Sequence, residues 1–462
     1  MKSVCKHNGN LLLGKNGNAI SRNYWSAWTG GYTAANMSDF LHLSGGETCR
    51  SFSATNGGFL QHYCNSITPG RADAASIKVE IKSTTWDESV AGTTLVARAQ
   101  DGVLYLAGAS SVSSLNIINF ATYSTLNCAG PGLLVTKLLN GDIAWAHRVT
   151  SYGLAIKSAC ATNTGGLQII VKTPSTSTGP ITYRGETLIA TPTPDSYYLV
   201  RIDAQGMHEA SSIIGSGNIT ISKSKIDSLG NTYMAGFFYG SGASLAGHTF
   251  ANSVDTNSCI FAIKLAPNMS VSWANQSQPV VDSGLDVIYA DINDSGDMAI
   301  CGGRRFYTPV LFNGDPLPVR FVIKIASDGT TVFIKSTDGT DTVSAWYHPR
   351  VALSSVGNVF LTNTYSGETV VGTTHIENHL SGNTGLFVAK WLSNGEQSWV
   401  RTADSTLDGS RSVWGLAVDE PGTVSVLGGL SDWGNLIFDS ATMSGVESTT
   451  GYWHFMAKLR KA

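Results

Sequence analysis

Short apolar runs alternate with clusters of Gly, Asn, Asp and Ser along most of the chain, and many runs carry one cation at a fixed place. "FAIKL" (261–265), "FVIKI" (321–325) and "FVAKW" (387–391) are three of them. In a strand, successive side chains point to opposite faces. Phe321, Ile323 and Ile325 therefore share one face, and Val322 and Lys324 the other. The cations Lys137, Arg201, Lys264, Lys324, Lys390 and Lys458 are spaced 64, 63, 60, 66 and 68 residues apart. A second mark keeps the same period: Gly102, Gly165, Gly230, Gly296, Gly357 and Gly422 lead six apolar runs and lie 63, 65, 66, 61 and 65 apart. Two independent marks with one period define an internal repeat.

Each copy reads as a lead-in run, a Gly turn, a β-rich strand, a long polar stretch, the cation strand, a Gly- or Asn-containing turn and a last strand. Trp145, Trp273, Phe333 and Trp399 mark that last strand in four copies. Four strands joined by tight turns, repeated six times, predict an all-β fold: a six-bladed β-propeller of four-stranded blades with a small irregular N-terminal segment. The blades fall at about 91–149, 151–214, 218–275, 284–336, 342–402 and 409–462. The sixth ends at "FMAKLRKA" without a last strand, and an open edge invites aggregation. The alternating run "ASIKVEIKSTTW" (75–86) is expected to close the ring as that strand.

The order Gly turn, "NTYMAG", long stretch, "FAIKL", turn and aromatic resembles the bacterial β-propeller repeats of the SBBP type over about residues 90–462. Units three to six carry the pattern well. Unit two departs from it, lacking the terminal Gly in "TGGLQIIVKT" and the aromatic in "GMHEAS". The resemblance implies a fold and no single activity. Recurrence of the cation in every unit favours an architectural role over six ligand-binding cations, with the alkyl stem on apolar surface and the amine at a polar rim or over the next strand's aromatic.

Composition narrows the reading. Gly numbers 50 of 462 residues and charged residues are 14%, too few for a helical bundle, while 42% hydrophobic residues is too many for disorder. A net charge of −3 without a basic stretch gives no reason to expect nucleic acid. No apolar run is long enough to span a bilayer, and the N-terminus has no signal-peptide core, so no membrane insertion or export is expected. Cys5, Cys49, Cys64, Cys128, Cys160, Cys259 and Cys301 form an odd set without close pairs and read as reduced thiols.

Residues 1–74 lie outside the repeat and form a docking or capping segment; both readings stay open. "HNGNLLLGKNGNAIS" (7–21) precedes Tyr24, Trp25, Trp28 and Tyr32, which are candidate partner-docking anchors. This stretch resembles short leaders of phage structural proteins.

No G-x-S-x-G elbow or P-loop occurs. "DINDSGDMAI" (291–300) spaces Asp291, Asn293, Ser295 and Asp297 like a calcium loop but places Gly302 where the bidentate Glu belongs, so a blade turn is favoured. His375, Glu377 and His379 alternate in "THIENH" with no identifiable third ligand for zinc. No catalytic residue, cofactor or metal is expected. The leading expectation is a non-enzymatic bacteriophage virion component (tail, fibre or capsid surface), made in the host cytoplasm. Its N-terminal segment would meet other virion proteins, and its blade loops (109–132, 173–196, 237–258 and 364–384) a neighbouring subunit or host glycan or protein. The alternatives are a bacterial extracellular propeller binding glycan or protein, and a polysaccharide-cleaving enzyme.

Overall fold

The computed structural model describes residues 154–418 except 177–178, 252–257, 280–284, 305–309, 338–348, 366, 378–383 and 405–410. Outside that span it describes residues 422–431 and the strands Leu12–Leu13, Ala19–Ile20, Cys49–Ser53, Leu60–Cys64, Leu95–Arg98, Val103–Ser110, Gly132–Leu139, Asp142–Thr150, Asn435–Phe438, Ala441–Ser444 and Tyr452–Leu459. The described residues form antiparallel strands joined by turns, with no helix among them. No helix of the described residues is long and apolar enough to cross a membrane. Residues 75–86 and Tyr24, Trp25, Trp28 and Tyr32 lie outside the described residues.

The chain divides into two compact units, Met1–Pro194 with Val200–Ser211, and Asp195–Leu199 with Ser212–Ala462. In the first, Leu95–Arg98, Val103–Ser110, Gly132–Leu139 and Asp142–Thr150 pair in chain order as one sheet. Ala155–Ala161 then pairs with Leu167–Lys172. Cys49–Ser53 and Leu60–Cys64 form a hairpin in which Cys49 is the register partner of Cys64.

In the second unit the same order returns. Leu285–Ile292, Met298–Arg304, Arg320–Ile325 and Thr331–Ser336 make one four-stranded sheet. Arg350–Leu353, Val359–Tyr365, Gly385–Trp391 and Gln397–Asp404 make the next, and Arg411–Val418, Val424–Ser431 and Tyr452–Leu459 a three-stranded third. The four positions are named here the lead, second, cation and aromatic strands. Residues 215–226 of the long strand His208–Ile226, with Thr232–Leu245, Ser258–Leu265 and Val271–Pro279, fill them in repeat three.

The sheets of repeats four and five are apolar on both faces, and each face meets a different neighbour. In Arg320–Ile325, Phe321, Ile323 and Ile325 pack with Tyr233, Ile260 and Ala262 of repeat three. Val322, between them, packs with Val359, Leu361, Phe387 and Ala389 of repeat five. One repeat further, Phe360, Leu386 and Val388 turn away from that core and join Val413, Val424 and Val426 of repeat six. Burying a side chain of this size contributes about 1.5–3 kcal/mol, so removing a neighbour would expose an entire face. The face alternation expected for "FVIKI" is what the structure has.

Four of the long polar stretches hold hairpins rather than plain loops. Ile181–Tyr183 with Glu186–Ile189, Val310–Phe312 with Asp315–Pro316, Glu368–Val371 with Thr374–Glu377, and Asn435–Phe438 with Ala441–Ser444 are hairpins. Each lies on the aromatic strand of the preceding repeat: Thr182 partners Thr150, Phe312 partners Ser277, Phe438 partners Ala403, and the Gly372 N–H donates to the Ser336 carbonyl at 3.1 Å. The outer edge of each of these sheets is thus covered by the next repeat, which removes a template for aggregation. Positive φ at both Arg184 and Gly185, and at both Asn313 and Gly314, identifies two-residue type I′ turns.

The turn before the aromatic strand has the same hydrogen bonds in four repeats, for example Ala326 N–H to Thr330 carbonyl and Gly329 N–H to Ala326 carbonyl at 2.8 and 2.9 Å. Its left-handed position is Gly206, Gly329 and Gly395 in three of them and Met269 in the fourth, at φ 68°. A side chain there costs about 1–2 kcal/mol. Met269→Gly is expected to stabilise the protein by about 1 kcal/mol, read as a raised denaturant midpoint at unchanged slope.

Candidate functional site

The marked cations converge on one recurring arrangement. Lys137, Lys264, Lys324 and Lys390 are the direct cross-strand partners of Trp145, Trp273, Phe333 and Trp399. Immediately after each cation the register shifts. Such a bulge bends the strand and re-aims its end. In repeats one and four the cation, and in repeats one and three the aromatic, reaches past the sheet's end to the turn of the following repeat.

Three repeats show the junction. Lys137 Nζ donates to the Ala204 carbonyl at 2.9 Å, and Trp145 Nε1 donates to the same oxygen at 3.0 Å. Lys324 Nζ donates to the Ser393 carbonyl at 3.1 Å. Trp273 Nε1 donates to the Ser327 carbonyl at 3.0 Å, and Asn275 Nδ2 to the Gly329 carbonyl at 2.6 Å. Ala204, Ser327 and Ser393 hold the same place in the turn before the aromatic strand. A bond from one repeat to the next thus ends repeatedly on one backbone oxygen. Close approach explains a turn glycine here: a Cβ on Gly329 would lie 2.9 Å from the Trp273 ring.

The other cations differ in detail. Lys264 lies over the Tyr233 ring at 5.1 Å and Lys390 over the Phe360 ring at 5.4 Å. Both rings belong to the second strand, the other side from the expected aromatic strand. Arg201 Nε donates to Gln168 Oε1 within its own repeat at 3.2 Å. Lys458 partners Ser425 in backbone register.

Lys324 is the most buried of the cations in the described side chains, 4% exposed, and its Nζ also pairs with Asp297 Oδ2 at 3.2 Å. Asp297 Oδ1 accepts the Ser327 N–H at 3.2 Å. The residues expected to resemble a calcium loop are engaged in the same network. Asn293 Oδ1 accepts the Ser295 and Asp297 N–H groups, and its Nδ2 donates to the Ser354 carbonyl at 3.2 Å. Asp291 accepts the Leu353 N–H at 2.8 Å and faces Lys223 at 3.4 Å. Gly357 sits against the pair, since a Cβ there would lie 2.7 Å from both Asp297 Oδ2 and Lys324 Nζ.

Repeat three builds the equivalent turn on Asp227. Its carboxylate accepts the Leu229 and Asn231 N–H groups, Asn231 Nδ2 and the Tyr233 hydroxyl. Burial pushes the Asp227 carboxyl up, but the four hydrogen bonds outweigh it and hold the group below its ordinary value. Burial, reinforced by Asp227, pushes the Tyr233 phenol well up.

In the first unit, Arg184 Nη1 donates to His147 Nε2 at 3.0 Å, which places the imidazole proton on Nδ1. His147 stacks on Trp145 at 5.3 Å, and burial together with the Arg184 charge lowers its pKa. His375 is exposed on its hairpin, 3.4 Å from Glu368, and His379 lies outside the described residues. No group of three or more His, Cys, Asp or Glu among the described residues is placed to hold a metal. Cys259 and Cys301 are buried free thiols that burial pushes up to about 12, too high to supply a nucleophile near neutrality.

No family model matches the chain. No curated protein matches it either. Among solved structures it is similar to a protein of unknown function from Bacteroides caccae, at 9% identity and a TM-score of 0.32, over 67% of this chain and 81% of that one.

Lys324→Met is expected to destabilise by about 2–3 kcal/mol, because it strands Asp297 and the Ser393 carbonyl. Lys264→Met, which removes a cation–π contact, is expected to cost about 1 kcal/mol or less. Urea unfolding of the two variants measures the difference. A depressed Asp227 pKa means stability present above its unfolded value, about 3.9, and lost as pH falls through the folded one. Asp227→Asn keeps an oxygen for the turn, as Asn293 does, and is expected to flatten the acid limb of melting temperature against pH.

Proposed function

We propose that the chain is a non-enzymatic structural and binding protein built as a six-bladed β-propeller. The blades run at about 91–149, 151–214, 218–275, 284–336, 342–402 and 409–462, with residues 75–86 closing the ring. The observation that carries this reading is the dependence of each four-stranded sheet in repeats four and five on both sequence neighbours. Each face is filled by the repeat before or the repeat after. A series built in that way has no natural end, and closing on itself leaves no apolar face open. The cations belong to the architecture: two of them hold the turn of the following repeat.

The setting that fits best is a bacteriophage virion, as a tail, fibre or capsid-surface protein. The N-terminal stretch with Tyr24, Trp25, Trp28 and Tyr32 supports it by its resemblance to phage leaders, as the part that docks on other virion proteins. The hairpins laid over the sheet edges, such as Glu368–Val371 with Thr374–Glu377, form the surface offered to a neighbouring subunit or to a host glycan or protein. Supporting a binding rather than a catalytic role, the carboxylates of Asp227, Asp291 and Asp297 are committed to turns and cations. Mass spectrometry of purified particles is expected to find this chain in stoichiometric amount; its absence from every particle fraction would overturn the virion setting. Electron-microscopy class averages of the purified protein are expected to show a ring of six spokes.

A further inference from the structure

The junction between repeats one and two carries an imidazole where its counterparts carry side chains that do not titrate near neutrality. The second residue after the marked aromatic is His147 in repeat one, Asn275 in repeat three, Lys335 in repeat four and Arg401 in repeat five. Asn275 binds the Gly329 carbonyl directly. At the matching Gly206 carbonyl the donors are the Tyr183 hydroxyl, at 2.9 Å, and Arg184 Nη1, at 3.3 Å. Both belong to the hairpin that covers Asp142–Thr150. The same Arg184 Nη1 donates to His147 Nε2 at 3.0 Å. The imidazole is held in place around this bond. It stacks on Trp145 at 5.3 Å and meets the Tyr183 ring edge-on at 5.7 Å. Gly206 packs on it so closely that a Cβ there would lie 3.0 Å from Nε2.

A guanidinium has no acceptor, so this bond exists only with a neutral imidazole. Protonation would put an N–H on Nε2 facing the Arg184 N–H, two donors and two positive charges at hydrogen-bond distance. Among the described residues, no other charged group of the packed elements bonds to the ring. Lys137, on the neighbouring strand, donates to the Ala204 carbonyl. Asp203, in the turn, accepts the Gln205 and Met207 N–H groups with Oδ1 at 2.9 and 2.7 Å. Glu186, opposite Tyr183 in the hairpin, is exposed. Burial holds the Tyr183 phenol far above its ordinary value, so it stays a donor. Burial and the Arg184 charge lower the His147 pKa from its ordinary 6.5.

We propose that His147 is an acid-operated latch. Neutral, it ties Arg184 and the repeat two hairpin to the turn at Gly206; protonated, it expels Arg184 and loosens the hairpin's cover over the last strand of repeat one. The device lies within the first unit and stands independently of the ring reading. A base held neutral by folding contributes stability that is complete above its unfolded value, about 6.5, and is lost as pH falls towards the folded one.

Hydrogen–deuterium exchange at about pH 8 and about pH 5, either side of the imidazole range and corrected for intrinsic exchange, tests this. In the wild type, residues 181–189 are expected to exchange several-fold faster at the lower pH, with Leu167–Lys172 of the same unit unchanged. His147→Gln offers Arg184 an acceptor that does not titrate, and is expected to protect the hairpin at both pH values. Protection that does not depend on pH in the wild type, or a pH dependence that survives in His147→Gln, overturns the latch. Histidine-ring NMR of the wild type gives a second readout, with the His147 signals assigned by their loss in His147→Gln. The proton is expected on Nδ1 and the titration midpoint below 6.5; a proton on Nε2 at about pH 8, or a midpoint above 6.5, overturns the proposal.

Discussion

The structure depends on one constraint: sheets that are apolar on both faces. A strand such as Arg320–Ile325 has no solvent side. Ile323 is buried against repeat three and Val322 against repeat five. Neither sheet nor core belongs to one repeat, so the unit of stability is the contact between consecutive repeats. The sequence period of roughly 60–68 residues is the imprint of that contact, written once for each sheet.

The polar features serve the same end. Packing alone leaves two stacked sheets free to slide, and hydrogen bonds at their ends oppose sliding. Ala204, Ser327 and Ser393 offer a carbonyl at one place in the turn, and a lysine, a tryptophan or both reach it from the repeat before. Asp297 and Asn293 tie the neighbouring turn into the same network. The hairpins complete the junction at the outer edge, where a repeat lends two strands to cover its predecessor. Core, turn and edge thus each pass a connection in the same direction along the chain.

Much of this was legible in the sequence because it has a period. The lysines, the glycines and the face alternation repeat, so they stood out against a variable background. What had no letter of its own was hidden. The acceptor of Lys324 is a backbone oxygen, and Ser393 need not be serine to supply it. The bulge after each cation changes the register without a distinctive residue. The hairpins read as loops in the sequence, although Arg184–Gly185 and Asn313–Gly314 stand in them as turn pairs. Their strands, two to four residues long, are too short to leave an alternation pattern. Aspartates 291 and 297, spaced like metal ligands, gave a misleading signal, since alternate positions equally suit a turn that caps itself and its neighbour.

Val322 and Ile323 are adjacent on one strand and bury into different cores, which makes them the sharpest probe of that dependence. Hydrogen–deuterium exchange on Val322→Ala should accelerate amides of Val359–Tyr365 and Gly385–Trp391 in repeat five, leaving Thr232–Leu245 and Ser258–Leu265 close to wild type. Ile323→Ala should do the opposite, loosening repeat three. If both substitutions loosened only their own sheet, or the same neighbour, the repeats would not be held by faces shared in sequence order.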